Sequence, residues 1–288
     1  MSSTLQVKGE RGIKHPVNFV SQGSGWPVIM IHGLAASLHD WDFLFPPLVQ
    51  GGYAGYALDL LGHGDSPKPD WRAYHIDRLF DHFVEWIDSL ALSDPAVLIG
   101  HSLGGYIALE YARRFSVRTR GLILVAPFYS CAQLPPLLRL AYRQRLIGTV
   151  IANRAPEWLL RFIVDLTSLS MGNGAGGLHA LPEEVRAQTA LDYTRTAPGV
   201  YNLPNTIQDL TPYLPSISIP SLVVWGNRDR TLAPSSFREM LAALPGAKGQ
   251  SIQAGHVPHQ SDPAWFNRVV LTFLGSLRVS KTPSIRPS

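Results

Sequence analysis

With 288 residues, 45% of them apolar and 16% charged, the chain is long enough for a full buried core and is neither fibrous nor disordered in composition. Its one cysteine, Cys131, excludes an intramolecular disulfide framework and reads as a small apolar filler. The net charge of +4 falls to +1 without Arg278, Lys281 and Arg286 of the Pro- and Ser-containing stretch 276–288; the other basic residues are scattered, so no nucleic-acid partner is expected.

Residues 1–16 hold no apolar run that would serve as a secretory signal. No segment approaches the ~18 consecutive apolar residues of a membrane span, so the expected location is the cytoplasm. Leu5 to Lys8 and Val17 to Ser21 alternate like an opening antiparallel hairpin, and Val28 to Ile31 is a continuous apolar run ending at His32-Gly33. Tyr56 to Leu58 predicts the next strand, followed by a loop at 59–66 that glycines punctuate. A helix follows, with Ile76, Leu79, Phe80, Phe83, Val84, Ile87 and Leu90 on one core-facing stripe. Ala96 to Ile99 and Leu122 to Ala126 read as buried parallel strands around a helix that places Ala108, Tyr111, Ala112 and Phe115 on one face.

Between 128 and 215 the alternation stops. Helical patches at 136–146 and 157–166, a glycine-rich break at 172–177 and the lack of a strand pattern predict an inserted helical cap. Its Leu134, Leu137, Leu138, Leu140, Trp158, Leu159, Leu160, Phe162 and Ile163 lean toward an apolar substrate, or serve only to pack the cap. Alternation resumes with a strand at 221–225, a helix carrying Phe237, Met240, Leu241 and Leu244, a weaker strand near 250–253, and a last helix. Asp262 and Pro263 suit the start of that helix, and Phe266, Val269, Val270, Phe273 and Leu274 form its buried face. The division is a discontinuous core, 1–127 with 216–275, a cap at 128–215 and a flexible tail at 276–288. Strands alternating with helices predict a mostly parallel sheet covered on both faces.

The densest signal is Gly100-His101-Ser102-Leu103-Gly104-Gly105, between a buried strand and a helix. A strand turning that sharply strains its corner residue and pushes the Ser102 hydroxyl up from the sheet edge, with glycines where a Cβ would collide. Serine is a weak nucleophile without a base and a group that orients the base. His256 follows a strand-like segment and is the favoured base, with His259 as its competitor. Asp229 follows the strand 221–225 and is the favoured acid, completing the chain order Ser102, Asp229, His256. His101 reads as a packed turn residue and His32 as a loop organiser. The backbone N–H groups of Leu103, at the helix N-terminus, and Leu34, in the loop after the first buried strand, are the candidate oxyanion donors.

Taken together, HGLAAS at 32–37, DLLGHGDS at 59–66, GHSLGG at 100–105, GNRD at 226–229 and GHVPHQSDP at 255–263 resemble the α/β-hydrolase superfamily, in particular its capped serine hydrolases. The resemblance covers nearly everything except cap and tail. It implies an α/β-hydrolase fold and the roles of nucleophile, acid and base for Ser102, Asp229 and His256, with no cofactor and no metal. One departure is Ser261, where the family often has glutamate in the histidine loop. Serine at 102 argues against the superfamily's dehalogenases and epoxide hydrolases, which carry aspartate there. The expected activity is cleavage of an ester-type acyl bond in a small, apolar acyl substrate. Thioesterase, carbon–carbon bond hydrolase, perhydrolase and acyltransferase chemistry stay open on the same residues, as does a non-catalytic receptor on the same fold.

Overall fold

The computed structural model describes residues 16–70, 74–143 and 181–279. Seven strands form one sheet: β1 Phe19–Gly23, β2 Trp26–Ile31, β3 Tyr53–Leu58, β4 Ala96–His101, β5 Thr119–Val125, β6 Ser221–Gly226 and β7 Lys248–Ile252. Their order is β1-β3-β2-β4-β5-β6-β7. Every neighbouring pair is parallel except β1 with β3, where Phe19 faces Leu58 in antiparallel register.

Among the described residues, the α-helices of six residues or more are α1 Phe45–Gln50, α2 Ile76–Ser89, α3 Leu103–Arg114, α4 Pro136–Arg143, α5 Glu183–Arg195, α6 Pro234–Ala243 and α7 Pro263–Val279. Successive side chains of a strand point to opposite faces, so the continuous apolar runs of β2, β4 and β5 supply two cores at once. Ile29, Ile31, Leu98, Leu122, Leu124 and Val223 pack with residues of α2, α3 and α6, including Phe83, Ile107 and Phe237. Val28, Met30, Val97, Ile99, Ile123 and Val224 pack on the other side with Leu48 of α1 and Phe266, Val270 and Phe273 of α7. The result is a doubly covered α/β sheet in which β4 is buried along its whole length, and β2 and β5 at all but one residue each.

Several expectations need adjusting. The strand predicted at 17–21 is β1, and its partner is β3; Leu5 to Lys8 lie outside the described residues. α7 begins as expected, with Asp262 Oδ1 accepting from the Trp265 N–H at 2.9 Å. It continues to Val279, into the stretch that composition reads as tail. Leu277 is buried there, and Arg278 donates to the carbonyls of Gly51 and Gly52 at 3.2 and 2.9 Å while lying over the Tyr53 ring. The apolar tally of the cap divides: Leu134 is buried, Leu137 and Leu140 are exposed, and Trp158 to Ile163 and the glycines at 172–177 lie outside the described residues.

The described parts of 128–215 are helical or irregular, with no strand among them. They cross the C-terminal edge of the sheet and bond to the core, Ala197 N–H to Gly62 O at 2.8 Å and Ile76 N–H to Thr206 Oγ1 at 3.0 Å, while Leu210 N–H to Tyr129 O at 2.9 Å ties two parts of the same stretch together. Val200, Leu203, Leu210 and Leu214 join the core on the α2–α3 side.

Candidate active site

Ser102 sits between β4 and α3 at φ +50° and ψ −112°, a conformation that strains any residue with a Cβ. The turn is held rather than loose. Ser102 N–H donates to Val125 O at 3.0 Å, and its carbonyl accepts from Gly105 and Phe128 at 2.9 Å each. The surrounding glycines are sterically required: a Cβ on Gly104 would lie 2.2 Å from Ile31 O, and one on Gly100 would lie 2.3 Å from Gly104 O. Strand, elbow and helix are thus pressed against the end of β2, which places the loop after β2 beside the serine.

Asp229 and His256 arrive from the ends of β6 and β7. Their loops are tied together by Asn227 N–H to Ile252 O at 2.8 Å and Arg228 N–H to Ala254 O at 2.9 Å. One carboxylate oxygen of Asp229 accepts from the N–H groups of Thr231 and Leu232 at 2.8 and 2.9 Å, which leaves the other facing His256 Nδ1 at 2.7 Å. Both side chains are buried. A carboxylate so fixed holds the imidazole with Nδ1 protonated and Nε2 available as a base. Ser102 Oγ has no hydrogen-bond partner among the described residues, but it lines the same cavity as His256.

His259 is not placed for this work. Its ring stacks on Trp41, neither ring nitrogen has a hydrogen-bond partner among the described residues, and burial, reinforced by nearby His101, pushes it down to about 3. His32 organises the loop as expected: Nδ1 lies 2.7 Å from Gly33 O and Nε2 accepts from the Leu60 N–H at 2.9 Å. Burial lowers it, so the ring stays neutral. The N–H groups of Leu34 and Leu103 have no acceptor among the described residues. That of Leu103 opens α3, where helix geometry leaves it unpaired.

Three polar residues were missed in the sequence. Asp40, buried, faces His101 Nδ1 at 3.2 Å and accepts from Gln260 Nε2 at 3.1 Å, while His101 Nε2 lies 3.2 Å from His256 O. Burial alone would raise Asp40, but the hydrogen bond and charge of His101 prevail and bring it down to about 2. Asp59 knits the loops: it accepts from the N–H groups of Leu38 and Asp65 and from Asn18 Nδ2, all at 2.8 Å. Asp192 of α5 lines the cavity, where burial, followed by the charge of Asp40, pushes it up to about 7. No spacing rule links these residues to Ser102, and nothing in their local sequence sets them apart from ordinary polar residues of a loop or a helix.

Asp40, His101 and His259 also bring donor atoms within 4.8 Å of one another, a spacing that would admit a metal ion. His101 already faces Asp40 and a carbonyl through its two nitrogens, so hydrogen bonding alone accounts for two of the three side chains.

The cavity measures about 350 Å³. Leu34, Leu103, Phe128, Leu134, Leu232 and Val257 give it apolar walls, and Leu181, Thr189, Asp192, Tyr193 and Tyr201 close it from the cap side. Such a mostly apolar cleft with a few converging polar groups is the usual form of a small-molecule site.

A parallel sheet of this order with a strained serine turn at its C-terminal edge defines an α/β hydrolase, and comparison agrees. The family model described as the alpha/beta hydrolase family matches residues 28–269, and the chain belongs to that family. It is 28% identical over 284 residues to an uncharacterized protein of Mycobacterium tuberculosis, covering 94% of this chain and 81% of that one. A thermophilic esterase from Thermogutta terrifontis superposes with a TM-score of 0.78 at 23% identity, covering 96% of this chain and 99% of the esterase. A bromoperoxidase from Bacillus anthracis gives 0.77 at 21% identity, covering 91% and 96%.

Proposed function

We propose that the protein is a serine hydrolase that cleaves an ester-type acyl bond through Ser102, His256 and Asp229. The observation that carries this reading is the 2.7 Å contact between His256 Nδ1 and Asp229 Oδ2, buried and opening on the cavity that holds Ser102 at its strained turn.

His256 Nε2 takes the Ser102 proton as Oγ attacks the acyl carbonyl, and returns it to the leaving alcohol. Water then attacks the acyl-enzyme with the same histidine as base. Asp229 fixes the tautomer and steadies the imidazolium. The Ser102–His256 hydrogen bond tightens when substrate fills the cavity, as free enzymes often hold this contact long. Negative charge on the tetrahedral oxygen falls to the Leu34 and Leu103 N–H groups and to the positive end of α3. The apolar walls favour an uncharged acyl group, and no lysine or arginine stands among the described lining residues to receive a carboxylate.

The test is hydrolysis of p-nitrophenyl esters of increasing acyl length by wild type and Ser102→Ala. Serine-dependent release of nitrophenol is expected, with an optimum at short to medium chains. Turnover that survives in Ser102→Ala, or absent turnover on every ester, overturns the reading.

A further inference from the structure

The cap-side wall of the cavity carries a carboxyl that hydrolysis does not use. Asp192 projects from α5 and is 3% exposed, yet it lines the same space as Ser102 and His256. The other two aspartates near the serine each face a histidine: Asp229 has His256 and Asp40 has His101. Among the described residues, Asp192 has only neutral partners. Gln188 Nε2 donates to Oδ1 at 2.8 Å, the Ser37 hydroxyl bonds to the carboxyl, and no described residue forms an ion pair with it. The charged groups that act on it from the packed loop before α1 are Asp40 and His39, which oppose each other.

A carboxylate offers about four acceptor positions, and the described residues take two of them. The remaining capacity sits at the wall of a mostly apolar cleft, where a substrate's polar group would be desolvated on entry. An unmatched polar contact there is costly, so such a group selects strongly for its complement. The complement is a hydroxyl. It donates to the carboxylate and accepts from the carboxylic acid, so it fits both protonation states of a group that titrates near neutrality. An ammonium would fit only the ionised state and would have to shed its water in apolar surroundings. A substrate carboxylate would meet both Asp40 and Asp192.

We propose that Asp192 forms a substrate subsite for a hydroxyl group, so that the preferred substrates are hydroxylated esters rather than plain alkyl esters. This rests on the ester-hydrolase reading.

The test uses matched pairs that differ by a hydroxyl in place of a methyl. On the acyl side these are p-nitrophenyl 3-hydroxybutanoate and 3-methylbutanoate; on the alcohol side, 2-hydroxypropyl and isobutyl butanoate. Wild type is expected to favour the hydroxylated member of one pair by about tenfold or more in kcat/KM. In Asp192→Leu the ratio collapses toward one. Should that variant fail to fold, Asp192→Asn, which keeps one acceptor, is expected to cut the ratio at least about threefold.

Equal rates in both pairs, or a preference that persists without Asp192, overturns the subsite. Faster, Asp192-dependent turnover of the 3-aminobutanoate ester overturns the choice of hydroxyl. Calorimetric binding of the 2-hydroxypropyl and isobutyl esters and of the two p-nitrophenyl esters to Ser102→Ala separates this from catalysis. Tighter binding of a hydroxylated member, lost when Asp192→Leu is added, supports the subsite even if no ester is cleaved, and equal binding in both pairs overturns it. Absent turnover alone counts against the hydrolase reading.

Discussion

The Asp40 carboxylate lies 3.2 Å from Nδ1 of His101, the residue immediately before the serine, and both side chains are buried. Through His101 Nε2 and the carbonyl of His256, also 3.2 Å apart, this contact braces the histidine loop from behind. The same carboxylate holds Gln260 of that loop, accepting from its Nε2 at 3.1 Å. Asp40→Ala strands His101 Nδ1, Gln260 Nε2 and the Gly33 N–H, which lies 3.4 Å from the carboxylate. A loss of about 3–5 kcal/mol is expected, read as a lower urea midpoint, whereas Asp40→Asn loses less. An Asp40→Ala protein as stable as wild type would show that this brace is idle.

Replacing Ser102 with glycine is expected to separate stability from activity. At φ +50° and ψ −112° a serine is strained and a glycine is not, so Ser102→Gly gains about 1 kcal/mol while turnover disappears. Ser102→Ala loses turnover without that gain. Thermal melts of the three proteins decide the point, and a destabilised glycine variant would count against stored strain.

Gly33→Ala tests the oxyanion loop while leaving the proposed catalytic residues Ser102, His256 and Asp229 unchanged. The added Cβ would lie 2.8 Å from His101 Nδ1 and 3.4 Å from Ser102 Cβ, so the loop must shift. A fall in kcat of about 10–100-fold is expected, with a smaller change in KM, because displaced donors weaken transition-state stabilisation more than binding.

His256→Gln is expected to remove nearly all esterase activity, and His259→Gln to retain most of it while altering stability. The reason is geometric: Asp229 contacts His256, whereas His259 is stacked on Trp41. The opposite pattern in kcat/KM would reassign the base.

Stability should fall as pH drops below about 6.5. Burial lowers His32, His63 and His259, so between their folded values and 6.5 the unfolded chain binds protons that the native chain does not. Each contributes about 1.4 kcal/mol per pH unit in that range. Asp192 works in the opposite sense: raised to about 7, it is protonated in the native state first and favours folding as pH falls from 7 toward 4. Three lowered histidines oppose one raised aspartate, so a net loss of stability is expected as pH falls from 6.5 toward 5. Asp40, lowered to about 2, adds a further loss below pH 4. Urea titrations at pH 7.5, 6 and 5 measure the slope, and a flat profile would contradict the burial of these rings as neutral groups.

The sheet was legible where strands are buried on both faces, because β2, β4, β5 and β6 each contain an unbroken apolar run, Val28 to Ile31, Ala96 to Ile99, Leu122 to Val125 and Leu222 to Trp225. It was less so elsewhere. β3 starts at Tyr53, three residues before the predicted run, because Gly55 is needed in mid-strand: a Cβ there would lie 3.1 Å from the Phe45 ring and 3.2 Å from Met30 Cε. β7 starts two residues early because an edge strand with exposed Lys248 and Gln250 has no apolar signature. α5 escaped notice since it lacks an apolar stripe, burying Arg186 and Asp192 beside Val185 and Ala190.

By itself the sequence determined the family, the alternating architecture and the candidate nucleophile, acid and base, because these rest on local rules: strand periodicity, glycine spacing around a strained turn, and polar residues at strand ends. Only the tertiary structure decided which histidine meets Asp229, that Asp40 stands behind His101, and that Asp192 reaches the cavity. Those contacts join residues distant in the chain, 61 positions apart for Asp40 and His101. Loop packing fixes them to within an ångström, and no periodicity along the chain encodes it.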